Sequence, residues 1–346
     1  MLYTRLAPYF RDCLEQFCNS HGYRAHIFHY SPNPDAPLEF ESTSKLQLYD
    51  RGRYRRADLL AFAKDLNPDC VLCVGWSDST YNYVCRHMRT PTISMIDNPY
   101  THSLRQRVLC RVARRHLLKT FSHAWVCGRS HYMLMRKAGF PDQRIIPGLY
   151  CASAKTFSPN FDQGIDGEKR ILYAGRLLDW KGVEDLVVAF MRIPESERNG
   201  WKLRIAGTGP LAERINRIAS QESSVKVLGF LSPEQLAKEM KNADAFCLPS
   251  WHEHWGVVVH EAALSGLLLV LSTGVEAASE FLIDGYNGYS FEPSDTKDLE
   301  TAIRKLISTD DLSHLKRHSR ELGERHRVEH WCQRLLSVIQ SAHAGD

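Results

Sequence analysis

The chain has 346 residues, 43% hydrophobic and 24% charged, a globular composition whose length points to two domains rather than one. Its apolar runs are too short to span a membrane and its opening, MLYTRLAPYF, lacks a signal-peptide layout, so neither a spanning helix nor a secretory leader is expected. The net charge of +4 hides an asymmetry: residues 1–150 carry 21 Lys and Arg against 12 Asp and Glu, net +9, and residues 151–346 carry 23 against 28, net −5. One domain is therefore expected to meet an anionic surface or ligand.

In chain order, RAHIFHY (24–30), CVLCVGW (70–76), PTISMID (91–97) and HAWVCG (123–128) read as strands, with helices between them. A doubly wound domain opens with a strand and a ligand-binding turn. This chain begins close to such a turn, so the first strand is expected to be clipped or very short. Cys70 and Cys73 form a C-x-x-C inside an apolar strand pattern. No second pair follows at a zinc spacing, so a metal or redox role is not expected. The ten scattered cysteines read as reduced, which implies a cytoplasmic protein.

The stretch SLRQRVLCRVARRHLLKT (103–120) has helical periodicity. Arg107, Arg111, Arg114 and Arg115 gather on one face. Leu104, Val108 and Val112 lie on another, with Leu117 and Leu118 further along. A solvated domain face would account for this pattern; peripheral contact with an anionic membrane surface accounts for it better. Nucleic acid would explain the charge, but not the carboxylates found later in the chain.

A polar join (152–168) with Pro159, Gly164 and Gly167 separates the N-terminal domain, 1–151, from a second domain, 169–327. There the alternation is clear. Strands are expected at 169–176, 201–207, 225–230, 244–250 and 267–273, with helices between, so a parallel sheet covered on both faces follows. Ser232, Pro233 and Gln235 form a capping-box start. His314/His318 and His326/His330 sit at i,i+4 without a third metal ligand in view. The chain closes on an apolar-faced helix, 328–346. Two doubly wound domains face each other across a cleft, and ligands bind outside the carboxyl ends of the strands.

The informative loops follow those strands. AGRLLDWKG (174–182) places Arg176 at a strand end and Lys181 just before a helix, a set suited to a diphosphate. AGTGPLAE (206–213) matches G-x-G-x-x-A, but no acidic residue closes the next strand, so an NAD site is rejected. SWHEHWGVVVHEAALSGL (250–267) sets Glu253 in a loop, Gly256 and Val257 at a helix start, and Glu261 about a turn and a half into that helix. The helix start suits a second anion site, and each carboxylate can accept two hydroxyl bonds from a ribose or sugar diol. His252 and His254, in one turn, do not easily converge on a metal.

These motifs, in this order and followed by GVEAASEFLIDGYNG (274–288), resemble glycosyltransferase family 4, strongly over 169–291 and loosely in the N-terminal half through LAPYFRD, VGWSDS and SMIDN. The resemblance implies the GT-B fold, an α/β architecture of two doubly wound Rossmann-like domains, and a retaining glycosyltransferase that needs no metal or other cofactor. It implies that Arg176 and Lys181 hold the donor diphosphate, that Glu261 binds the nucleotide ribose and that Glu253 contacts the transferred sugar. Backbone groups of Trp255, Gly256 and Val257 would meet the distal phosphate and sugar, Trp255 being bulkier than the family's usual residue. Asp97, ending PTISMID, is the candidate contact from the N-terminal domain; a turn or cap role suits it equally. The final helix would cross back to the N-terminal domain. The implied partners are a UDP- or GDP-linked sugar and a glycan or lipid-linked acceptor, in polysaccharide or glycolipid assembly. A nucleotide-sugar epimerase of the same architecture and a non-catalytic nucleotide-sugar-binding subunit remain alternatives.

Overall fold

The structure is a computed structural model that describes residues 1–30, 40–159 and 168–343. Gly164 and Gly167 of the expected join lie outside the described residues. The chain divides into two compact units, Met1–Cys151 with the C-terminal segment from Val328, and Ala152–Arg327.

The first unit holds β1 (Ala25–His29), β2 (Leu46–Asp50), β3 (Val71–Val74), β4 (Thr92–Ile96), β5 (His123–Val126) and β6 (Ile145–Pro147). Between them run α1 (Pro8–His21), α2 (Arg56–Asp65), α3 (Ser79–His87), α4 (Leu104–Thr120) and α5 (Arg129–Lys137). β1 pairs with β2, and β3 to β6 pair in sequence, all parallel. β4, TISMI, is buried at all five positions, as a strand covered on both faces must be. The expected very short first strand is a single residue, Leu2. It bridges Phe28 of β1 and Cys73 of β3, with Leu2 N donating to Leu72 O at 2.8 Å and Val74 N to Leu2 O at 2.9 Å. β2 and β6 were not foreseen. Both are edge strands; β2 buries only its first residue, and a strand as brief as β6, ending in Pro147, carries no readable alternation.

The C-terminal helix Val328–His343 belongs to this unit. Trp331 is fully buried, donates its ring N–H to Leu149 O at 2.7 Å, stacks on Trp125 at 4.8 Å and meets Phe10 edge-on at 5.5 Å. All ten cysteines are free thiols. Cys73 sits inside β3, and burial raises the Cys70 thiol to about 12, far from the lowered range that makes a thiol reactive.

The second unit holds β7 (Arg170–Ala174), β8 (Lys202–Ala206), β9 (Val225–Gly229), β10 (Ala245–Leu248), β11 (Leu268–Ser272) and β12 (Gly288–Phe291). Its helices are α6 (Val183–Arg192), α7 (Ala212–Ala219), α8 (Pro233–Lys241), α9 (Val257–Leu264), α10 (Ala278–Phe281), α11 (Thr296–Ile307) and α12 (Ser313–Glu324). The parallel sheet runs β12-β11-β10-β7-β8-β9. β7, β10 and β11 are buried at every position, whereas the edge strands β9 and β12 are only partly covered. α8 starts with both halves of the capping box, Ser232 and Gln235 each accepting the other's backbone N–H. β12, GYSF, was missed because it opens on glycine. Gly288 is required there, since a Cβ would stand 1.9 Å from Leu269 O.

Two buried polar groups hold the helices of this unit in place. Asp244 accepts the Arg170 N–H at 2.9 Å and the Lys316 ammonium at 2.6 Å, joining α12 to the start of β7. His260 lies buried in α9. Its Nδ1 accepts the Ala152 N–H at 3.0 Å and its Nε2 bonds Gly323 O at 2.9 Å, which fixes the neutral tautomer with hydrogen on Nε2. Burial lowers its pKa from 6.5 to about 3. The folded state thus resists a proton that the unfolded chain accepts, so this stability is full above pH 6.5 and is lost as pH falls from 6.5 toward 3. The expected slope is about 1.4 kcal/mol per pH unit in that window. Urea unfolding at pH 7 and pH 5 checks it: the fall should flatten in His260→Asn, and an unchanged slope would assign the effect to other groups.

Candidate functional site

The strand order of the second unit reverses between β7 and β10. From there the chain winds outward to β8 and β9 on one side and to β11 and β12 on the other. Loops leaving the carboxyl ends of two such strands diverge and open a crevice. Arg176 follows β7 and Lys181 ends a 3-10 turn, Asp179–Lys181. The loop after β10 carries Ser250 to Gly256.

Two backbone features bring these loops together. Gly182 has φ +65° and a Cβ there would lie 2.2 Å from Pro249 O, so only glycine lets the first loop press against the second. Trp251 N then donates to Trp180 O at 2.8 Å. The Lys181 ammonium consequently meets a Glu253 carboxylate oxygen as an ion pair, 19% and 16% exposed. Beneath them Tyr173 is buried, its hydroxyl donating to Arg176 O at 2.9 Å. Burial, then the nearby Glu253 charge, holds that phenol far above its ordinary pKa, so it stays protonated.

A third loop, after β11, fixes Glu253 from the other side. Glu253 N donates to Gly274 O at 2.9 Å and Glu276 N to Glu253 O at 3.2 Å, with a parallel bridge between Glu253 and Val275. Gly274 permits this contact, since a Cβ would be 2.2 Å from Trp251 O. The GVEAASEF motif therefore serves to hold the carboxylate-bearing loop.

Gly256, at φ +91°, caps α9, so the first N–H groups of that helix open at the carboxyl end of β10. Val257 and Glu261 are half-buried on its first two turns. Trp255 is buried, its ring edge-on to Phe281 at 6.3 Å, so its extra bulk is placed in the core. Arg176 is exposed, two residues beyond the carboxyl end of β7. Asp97 belongs to the other unit, at the end of β4, where its carboxylate accepts the Tyr150 hydroxyl at 3.2 Å. His252 and His254 are exposed, and no group of three or more potential metal ligands occurs among the described residues. The AGTGPL loop has a packing reason: at Gly207, φ +143°, a Cβ would stand 1.8 Å from Gly175 O, and at Gly209, φ +152°, 2.6 Å from Leu177 O.

Sequence reasoning missed Gly182, Tyr173 and the Lys181–Glu253 contact. The first had a signal, a glycine directly after the cation. The Lys181–Glu253 contact arises from packing between loops distant in the chain and had none; Tyr173 lies within β7 and reads there as an ordinary strand residue.

Comparison with solved structures defines the fold as GT-B. An Anabaena protein, HepE, crystallised with UDP and glucose, superposes with a TM-score of 0.73 at 16% identity, over 98% of this chain and 99% of that one. Sucrose-phosphate synthase from Thermosynechococcus elongatus gives 0.77 at 17% identity, over 100% and 99%. Residues 158–325, just under half of the chain, match the family described as glycosyl transferases group 1. Among curated proteins, an uncharacterised glycosyltransferase of Methanocaldococcus jannaschii is 33% identical over 155 residues, 43% of this chain and 39% of that protein. Glycogen synthase of Mycobacterium tuberculosis is 33% identical over 162 residues, 46% of this chain and 38% of its own. Alpha-D-kanosaminyltransferase of Streptomyces kanamyceticus is 25% identical over 217 residues, 59% and 56%. The chain thus spans about two fifths of the length of the first two of these relatives.

Proposed function

We propose that this protein is a retaining, metal-independent glycosyltransferase of family 4. It would move a sugar from a UDP- or GDP-linked donor to a hydroxyl of a glycan or glycolipid acceptor, in polysaccharide or glycolipid assembly at the cytoplasmic side of a membrane. The observation that carries this reading is the juxtaposition of Lys181 and Glu253 at the strand-order reversal, next to Arg176 and the N-terminus of α9. A cation, a carboxylate and a helix N-terminus at one crevice suit a sugar diphosphate, which presents both hydroxyls and negative charge.

Arg176 and Lys181 hold the donor diphosphate and neutralise charge as it develops on the departing phosphate. Glu253 accepts hydroxyl bonds from the transferred sugar, and Glu261 from the nucleotide ribose. Backbone groups from Trp255 to Val257 meet the distal phosphate and sugar. The bond between anomeric carbon and phosphate oxygen breaks as the acceptor oxygen bonds to that carbon on the same face. The acceptor proton passes to the departing phosphate oxygen, and Asp97 orients the acceptor. HepE was crystallised with UDP and glucose and with UDP-glucose, which supports starting with uridine donors.

Thermal unfolding with UDP-sugars, GDP-sugars, UDP and GDP tests the reading. One nucleotide series should raise the melting temperature of the wild type, as any ligand selective for the folded state does, and the rise should vanish in Glu261→Ala. No shift from any nucleotide would overturn it.

A further inference from the structure

α4 turns its apolar residues to solvent. Leu104 is 77% exposed, Val108 61%, Leu109 48% and Val112 75%, whereas Cys110, Leu117 and Thr120 face the core. The solvated-face reading of the sequence accounts for the arginines and not for four exposed aliphatics on successive turns of one helix. The same helix carries six Lys and Arg and no carboxylate. From Asn98 to Pro141 there are nine cations and no Asp or Glu. Arg105, Arg107, Arg111 and Arg115 are exposed and make no ion pair among the described residues.

We propose that α4 lies in the headgroup layer of an anionic bilayer, with Leu104, Val108, Leu109 and Val112 entering the acyl boundary and the flanking arginines on lipid phosphates. Exposed aliphatics interspersed with charges of one sign match that surface, which offers hydrocarbon below a negative layer. A protein partner would need its own uniformly acidic rim. Nucleic acid would use the arginines but not the aliphatics, and α4 has no aromatic residue of the Phe, Tyr or Trp type to stack on bases. No helix among the described residues is long and apolar enough to cross a membrane, so this contact is peripheral.

The inference extends the acceptor side of the proposed function but stands on separate residues, so each can fail alone. The test is co-sedimentation of the full chain with vesicles of phosphatidylcholine alone and of phosphatidylcholine mixed with phosphatidylglycerol. It compares wild type, Arg107→Gln/Arg111→Gln/Arg115→Gln and Leu104→Ser/Val108→Ser/Val112→Ser, without any nucleotide or acceptor. Wild type should partition to the anionic vesicles only. At roughly fivefold per cation near the surface, the arginine variant should lose about a hundredfold. The serine variant should lose binding at low and at physiological salt, with its melting temperature kept because the altered positions are exposed. Wild-type binding unchanged by the serine substitutions would reduce the contact to bare charge attraction and overturn insertion. So would RNA retention, or a dimer at this face, without vesicle partition.

Discussion

Lys181→Ala and Glu253→Gln are each expected to lower kcat for sugar transfer by about 10²–10³-fold, the loss seen when one preorganised group at a site of developing charge is removed. The ammonium and carboxylate are already in contact before a donor enters, and both are less than one-fifth exposed. A sugar diphosphate would draw the ammonium toward phosphate and the carboxylate toward hydroxyls, so neither group needs a new position, only a new partner. In the proposed reading Arg176 shares the charge, so Lys181→Ala should leave residual activity. Initial rates with the donor identified by thermal shift provide the measurement, and melting temperature separates the two roles. If both variants melt lower and turn over normally, the pair is structural and the donor sits elsewhere. The double variant should lose far less than the product of the single losses, because residues that act on one ligand as a unit are not additive.

Gly207→Ala should destabilise the fold by about 3 kcal/mol or more, since it combines backbone strain with a clash that only a shift of the main chain relieves. The φ of +143° disfavours any side chain, and the added Cβ would stand 1.8 Å from Gly175 O. Gly200→Ala is the matched control. Its φ is +77°, but nothing lies within 4 Å of the added Cβ, so only the left-handed penalty of about 1–2 kcal/mol applies. Urea unfolding of both variants reads the difference, and equal losses would rule out the close approach. Gly175 precedes Arg176, so a Gly207 variant that still folds should also bind the donor diphosphate more weakly.

How much of this was legible depends on the range of each interaction. The strands of the second unit carry continuous apolar runs such as LLVLS, and the start signal of α8 lies between Ser232 and Gln235, so local pattern suffices for both. Edge strands β6 and β12 have only three and four residues, and β2, five long, buries only its first, so none carries a run of buried apolar positions long enough to read. At the candidate site, residue types and their order were readable: Arg176, Lys181, Glu253, Gly256 and Glu261 in or just after loops that follow strands. Their mutual placement was not, because it rests on the contact of Gly182 with Pro249, the Trp251–Trp180 bond and the Gly274 approach to Trp251.

The amphipathic helix shows the same division. Periodicity located α4, but an apolar face can turn inward or outward with one and the same sequence. Which way it turns depends on what packs beneath it. Here the helix is seated through Cys110, Leu117 and Thr120, and Leu104, Val108, Leu109 and Val112 are left outside. The sequence by itself determined the kinds of chemical group in each loop and the class of each long element, because those depend on neighbours within a few positions. Only the tertiary structure decided which of those groups touch, since loops distant in the chain become neighbours through the strand order of the sheet.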